Sequence, residues 1–225
     1  MRIRWLYWLG NAFYPERCPY CNRNIEPEEI ACDDCIKDVL AKHKAIKSGV
    51  GGFRCISSFV YGGKIRRILL RIKYHEKTQF IAQLAELLAM DILMIYRNYN
   101  FDIITAVPMH WIDELNREYN QSVILAKKLG ELTGIPYLKT LEKIRRTEKQ
   151  HNLNYAKRKT NLIGAFQVID PEQIKGKRIL VIDDILTSGN TLAVCCKTLN
   201  RAKPELICCA TLATAKGKYP PEAII

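Results

Sequence analysis

The chain has 225 residues, 48% of them apolar and 26% charged, an ordinary balance for a globular protein with one full core and room for a small appendage. No apolar run approaches the ~20 residues needed to cross a bilayer, so no membrane span is expected. The net charge of +12 is concentrated: residues 64–77 carry six Lys or Arg against one acid, and residues 139–159 carry eight against two.

The opening MRIRWLYWLGNAFYP reads as an amphipathic helix. No small-residue cleavage site follows its short apolar run, which favours a cytoplasmic protein over a secreted one. Cys18 and Cys21, then Cys32 and Cys35, form two C-x2-C pairs. Two such knuckles bring four thiolates into a tetrahedron, the usual shape of a structural Zn²⁺ site. Disulfides are the competing reading, and the lack of a secretory signal disfavours them. A bound zinc would let residues 1–48 fold as a small closed module ahead of a main domain over residues 49–225. Cys55, Cys195, Cys196, Cys208 and Cys209 show no ligand spacing and are expected to pack as small hydrophobes.

Residues 53–61 read as a strand broken by Gly62 and Gly63. Ile65, Ile68, Leu69 and Ile72 then recur at helical spacing with Lys64, Arg67 and Arg71 on another face, predicting a basic amphipathic helix that ends near Lys73 and Tyr74. A second helix is predicted over residues 78–98, and a buried strand over residues 101–107, stopped by Pro108. Residues 121–133 form a further helix, and Gly134, Ile135 and Pro136 lead into a strand at residues 137–141. Residues 145–160 are long, basic and nearly devoid of apolar side chains. Strands resume at residues 163–168 and 206–213.

The stretch RILVIDDILTSGNTL, residues 178–192, organises the rest. Its apolar run suits a strand buried on both faces of a parallel sheet, with Asp183 and Asp184 at the C-terminal end, where open α/β sheets bind ligands. Thr187, Ser188, Gly189, Asn190 and Thr191 follow as a turn opening a helix, a nest of backbone N–H groups suited to a phosphate dianion. Two acceptor-only carboxylates suit the vicinal hydroxyls of a ribose. Together they suggest a ribose-5-phosphate donor.

This pattern of apolar residues, two acids and a Thr-Ser-Gly-Asn-Thr loop resembles the phosphoribosyltransferases of type I fold. The resemblance implies a parallel sheet flanked by helices, phosphoribosyl pyrophosphate (PRPP) with Mg²⁺ as ligand, and catalytic roles for Asp183 and Asp184. It also implies pyrophosphate contacts from the loop Val107, Pro108, Met109 and His110, where Pro108 has no N–H to give, and from a closing loop carrying Arg145, Arg146 and Lys149. More closely, the chain is similar to the ComF family. This likeness rests on the cysteine module preceded by Phe13-Tyr14-Pro15, on Ile72-Lys73-Tyr74, on Arg117 with Asn120-Gln121-Ser122, and on Arg145, Gln150, Leu153, Arg158, Asn161, Ala165 and Phe166 at the family's spacing. His75-Glu76 and Met109-His110-Trp111 depart from it. The resemblance implies a protein that handles incoming single-stranded DNA in natural transformation, with other DNA-uptake proteins as candidate partners. The basic stretches then suggest a DNA surface including Lys64, Arg67, Arg71, Lys73, Lys157 and Arg158, unless they are simply solvated faces or serve PRPP alone. The alternative is a metabolic phosphoribosyltransferase of purine or amidophosphoribosyl type with no DNA role.

Overall fold

The computed structural model describes residues 16–26, 28–74, 79–115, 119–147 and 162–215. Its centre is a five-stranded sheet in the order β1-β2-β7-β6-β3, built from β1 (Ile46–Val50), β2 (Phe53–Val60), β3 (Ile103–Ala106), β6 (Arg178–Leu186) and β7 (Leu206–Thr214). Only the β1–β2 pair is antiparallel; β2–β7, β7–β6 and β6–β3 all run parallel. The period-2 alternation of a strand sends Leu180 and Ile182 to one face and Ile179 and Val181 to the other, and all four are fully buried. Each such side chain contributes roughly 1.5–3 kcal/mol of burial, which is why the continuous apolar run locks this strand into the middle of the molecule.

On the first face lie α2 (Gly63–Tyr74), α3 (Gln79–Ile95) and α5 (Gln121–Thr133), which bury Ile68, Leu84, Leu88, Leu125 and Leu129. On the second lies α7 (Asn190–Asn200), with Leu192, Cys195, Cys196 and Leu199 inward. Beside it sits a two-stranded antiparallel ribbon, β4 (Leu141–Lys143) with β5 (Phe166–Val168), and the short α6 (Pro171–Ile174). The helix over residues 121–133 has the signals that predict it: Asn120 caps its N-terminus by accepting from the Ser122 N–H at 3.0 Å, and Gly134 ends it at φ 74°.

The structure differs from the sequence expectations in several places. The acidic pair does not end its strand, because β6 continues through Leu186 on hydrogen bonds to β7 alone. The strand expected at residues 137–141 is reduced to a single parallel bridge between Ile104 and Tyr137, and regular pairing starts only at Leu141. The strand expected from residue 163 starts at Phe166, after a turn at residues 162–164 that includes Gly164 at φ 66°. A short helix, α4 (Trp111–Leu115), follows the loop after β3.

The cysteine segment shares the main core. Cys18, Tyr20, Cys32, Cys35 and Val39 join the cluster that contains Ile68 and Leu88, and α1 (Asp33–Lys42) rests on α2. Residue 48 itself lies within β1, paired to β2. The five remaining cysteines are all buried, and burial pushes the Cys208 thiol up to about 12. The amphipathic helix expected at the N-terminus lies outside the described residues, as do Lys149, Lys157 and Arg158. Among the described residues no helix is long and apolar enough to cross a membrane.

Candidate active site and cysteine centre

The cavity opens where two neighbouring strands stop at different heights. β3 pairs with β6 only as far as Ile182, whose carbonyl accepts from the Val107 N–H at 2.9 Å, and from Asp183 onward that flank of β6 has no strand beside it among the described residues. The backbone N–H groups of Asp184 and Ile185 are taken up by side chains instead, donating to Asp183 Oδ1 at 3.0 Å and Asp184 Oδ1 at 2.7 Å. The space beyond is a cavity of about 580 Å³ walled by Asp183, Asp184 and Thr191, by Val107, Pro108 and Met109, and by Lys73, Asn120, Ser122, Lys143 and Arg146. Its size suits a phosphorylated sugar.

Asp183 accepts from Ser122 Oγ at 2.9 Å, yet burial and the adjacent Asp184 carboxylate raise it to about 7. A carboxyl pair so reluctant to carry two charges fits a cation or hydroxyl donors arriving with the ligand, and its hard oxygen donors suit Mg²⁺. Residues 187–191 form a shallow cradle next to Asp183. Gly189 is in the left-handed region at φ 76°, with Val50 Cγ1 3.3 Å from where a Cβ would stand, and its carbonyl starts α7 by accepting from the Ala193 N–H at 2.8 Å. The positive end of that helix therefore faces the cradle.

Of the residues expected to hold pyrophosphate, Val107, Pro108, Met109 and Arg146 line the cavity. His110 does not: it is buried, and its Nδ1 accepts from the Ile112 N–H at 3.3 Å, capping α4. Arg145 donates to the Ile163 carbonyl at 2.8 Å, joining the turn before β5 to the residues after β4. Arg146 crosses the cavity mouth to Asp113 of α4 at 3.1 Å. Asn120, Ser122 and Lys143 were not singled out as site residues from sequence. The signal for the first two was present, since a capping Asn followed by Ser opens a helix beside the strand end; Lys143 had none beyond its charge.

The cysteine cluster has the dimensions of a metal centre. The four sulfurs lie within 4.8 Å of one another, and Cys21 and Cys32 are 3.7 Å apart. Zn–S bonds of about 2.3 Å make a tetrahedron with edges of about 3.8 Å, so these residues fit Zn²⁺. Burial alone would raise the Cys18 thiol, but backbone N–H groups of Cys32, Cys21 and Tyr20 outweigh it and hold the thiol at about 7, whereas burial and the neighbouring thiols raise Cys32 and push Cys35 up to about 12, so all four become thiolates only with a cation among them. Around this centre stand the basic side chains expected on a DNA surface. Lys64 pairs with Asp38 at 3.3 Å, Arg67 donates to the Tyr20 carbonyl, and Arg71 donates to the Cys18 carbonyl at 3.2 Å and Asn22 Oδ1 at 2.9 Å. Lys73, on the same helix, lines the cavity.

A helix-flanked, mostly parallel sheet with an acid pair and a Thr-Ser-Gly-Asn-Thr turn at one strand end defines a class of protein, and a family model names it. The family model described as Phosphoribosyl transferase domain matches residues 102–224, and the chain belongs to that family. Its relatives include the DNA utilization protein YhgH of Salmonella typhimurium, 28% identical over 202 residues covering 82% of this chain and 84% of that protein. Competence protein F of Haemophilus influenzae is 25% identical over 189 residues, 82% of this chain and 78% of that protein. A solved purine phosphoribosyltransferase from Pyrococcus horikoshii aligns with TM-score 0.39 and 20% identity over 61% of this chain and 79% of that one. With the four-cysteine cluster, these relatives mark a ComF-like protein.

Proposed function

We propose that this chain binds PRPP with Mg²⁺ in the cavity, carries out phosphoribosyl transfer there, and handles single-stranded DNA in the cytoplasm as part of competence or DNA utilization. The observation that carries the first part is one open strand end bearing both the acid pair and the phosphate cradle. In this reading the 5′-phosphate sits on residues 187–191 and the ribose hydroxyls on Asp183 and Asp184. Pyrophosphate lies toward Val107, Pro108, Met109 and Arg146, with Arg145 and Lys149 as further contacts. As the bond to the leaving group stretches, positive charge grows at C1 and the ring oxygen, and a neighbouring carboxylate stabilises it. Mg²⁺ bound with the ligand would neutralise charge on the departing pyrophosphate. The four cysteines would hold a structural Zn²⁺.

Calorimetry with Mg·PRPP is the direct test. Wild type should bind, and an Asp183→Asn, Asp184→Asn double variant should lose on the order of tenfold or more, as expected when charge-assisted hydrogen bonds are removed. Asp184→Asn alone should reduce turnover more than it reduces phosphate affinity. Equal binding by wild type and the double variant would refute the site.

The DNA part is supported by what the relatives' names say of those proteins and by the basic segment at residues 139–159. Since Lys64, Arg67 and Arg71 face the cysteine module, Lys157 and Arg158 are the residues to reverse in testing it. Pyrophosphate release with nucleobase acceptors in a protein that ignores DNA would instead favour a metabolic transferase.

A further inference from the structure

We infer that the four-cysteine module is a positioning element for the phosphoribosyl cavity, acting through α2 to hold Lys73, so that the metal-loaded module and a diphosphate-bearing ligand stabilise one another. This rests on the PRPP reading above.

The path is continuous. Lys64, Arg67 and Arg71 fall on one stripe of α2 at spacings of three and four, and all three reach the module, two of them onto carbonyls of the first knuckle. Those carbonyls belong to Cys18 and to Tyr20, between Cys18 and Cys21, so metal binding fixes the atoms that Arg67 and Arg71 grip. Two residues past Arg71, Lys73 stands in the cavity wall with Asp183 and Asp184. The last turn of α2 is pinned from the other side: Tyr119 Oη donates to the Ile72 carbonyl and Gln121 Nε2 to the Lys73 carbonyl at 3.5 Å. The same short segment carries Asn120, bonded to the Val107 carbonyl at 3.1 Å, and Ser122, bonded to Asp183. Buried Ile65, Ile68, Leu69 and Ile72 pack the helix against the core along its length, so a strain at one turn is felt at the next. Loosening the knuckle thus releases the grips along α2 up to Arg71, within one turn of the Lys73 that stands beside the acid pair. The sequence pattern hides this, because one basic helix divides its charges between two jobs.

The test compares Mg·PRPP with ribose 5-phosphate, which lacks the pyrophosphate that Lys73 would meet. Arg71→Ala and Lys73→Ala should each weaken PRPP binding by about tenfold or more, while ribose 5-phosphate affinity stays within about twofold. The Arg71→Ala, Lys73→Ala double variant should be no weaker than Lys73→Ala alone, because Arg71 acts through Lys73, whereas independent roles would add. Lys73→Arg should retain most of the affinity. A readout that needs no variant is zinc retention: saturating PRPP should raise the chelator concentration that strips zinc from wild type, and ribose 5-phosphate should not, since coupling is reciprocal. Unchanged PRPP affinity in Arg71→Ala, additive losses in the double variant, or zinc retention indifferent to PRPP would overturn the inference with the PRPP site intact. Wild type that binds neither ligand would overturn the PRPP reading, and this inference with it.

Discussion

Asp183 shows how a single side chain makes the empty site costly. Burial first, and then the charge of Asp184, lift its carboxyl from the ordinary 3.8 to about 7. Between those values the folded protein keeps a proton that the unfolded chain has released, so the ligand-free protein should lose stability as pH rises from about 4 to 7. Denaturant midpoints measured at about pH 5 and pH 8 should fall in wild type, and the fall should shrink in Asp183→Asn; parallel profiles would show that the carboxyl is not so perturbed. The same shift implies that binding a cation-bearing ligand near pH 6 expels a proton. The calorimetric enthalpy of Mg·PRPP binding should then depend on the ionisation heat of the buffer, and less so at pH 8.

At the scale of elements, the site is made by strand lengths and helix starts more than by isolated residues. The apolar run and the acids of β6 were legible because a doubly buried strand needs the first and tolerates the second only where a partner strand has stopped. How far β6 outruns β3 was not legible, since it depends on where β3 ends, a tertiary fact. The basic stripe of α2 was legible as charge but not as contact, because periodicity gives a face and not its partner. Gly189 lies between the two. Its place in the loop reads from sequence, but the side chain that closes off the space beside it, Val50, is 139 positions away. Gly189→Val should cost about 1–3 kcal/mol, since a β-branched side chain would be strained at this positive φ. It should also abolish ribose 5-phosphate binding even where enough protein folds for titration. A variant that keeps both its stability and that binding would show that the cradle does not need the left-handed turn.

For the whole molecule, the question is whether DNA and PRPP compete. Oligonucleotide affinity should fall with salt at a log–log slope near −0.7 for each phosphate contacted, and reversing Lys157 and Arg158 to Glu should flatten that slope. If the basic segment also closes over PRPP, saturating PRPP should weaken oligonucleotide binding, and the oligonucleotide should weaken PRPP binding by the same factor. Salt-independent binding, or equal affinity in the charge-reversed variant, would separate DNA from this surface. The strand order carries a different consequence, for how the chain is made. β7, the last strand to leave the ribosome among those described, is inserted between β2 and β6 in the middle of the sheet. Until residues 206–214 have been synthesised, β2 and β6 each present an open hydrogen-bonding edge, and the barrier to closing the sheet is one of long sequence separation. A nascent chain stalled before that point therefore holds two strands with one open edge each, making it a natural client for holdase chaperones and a poor candidate for function as a fragment.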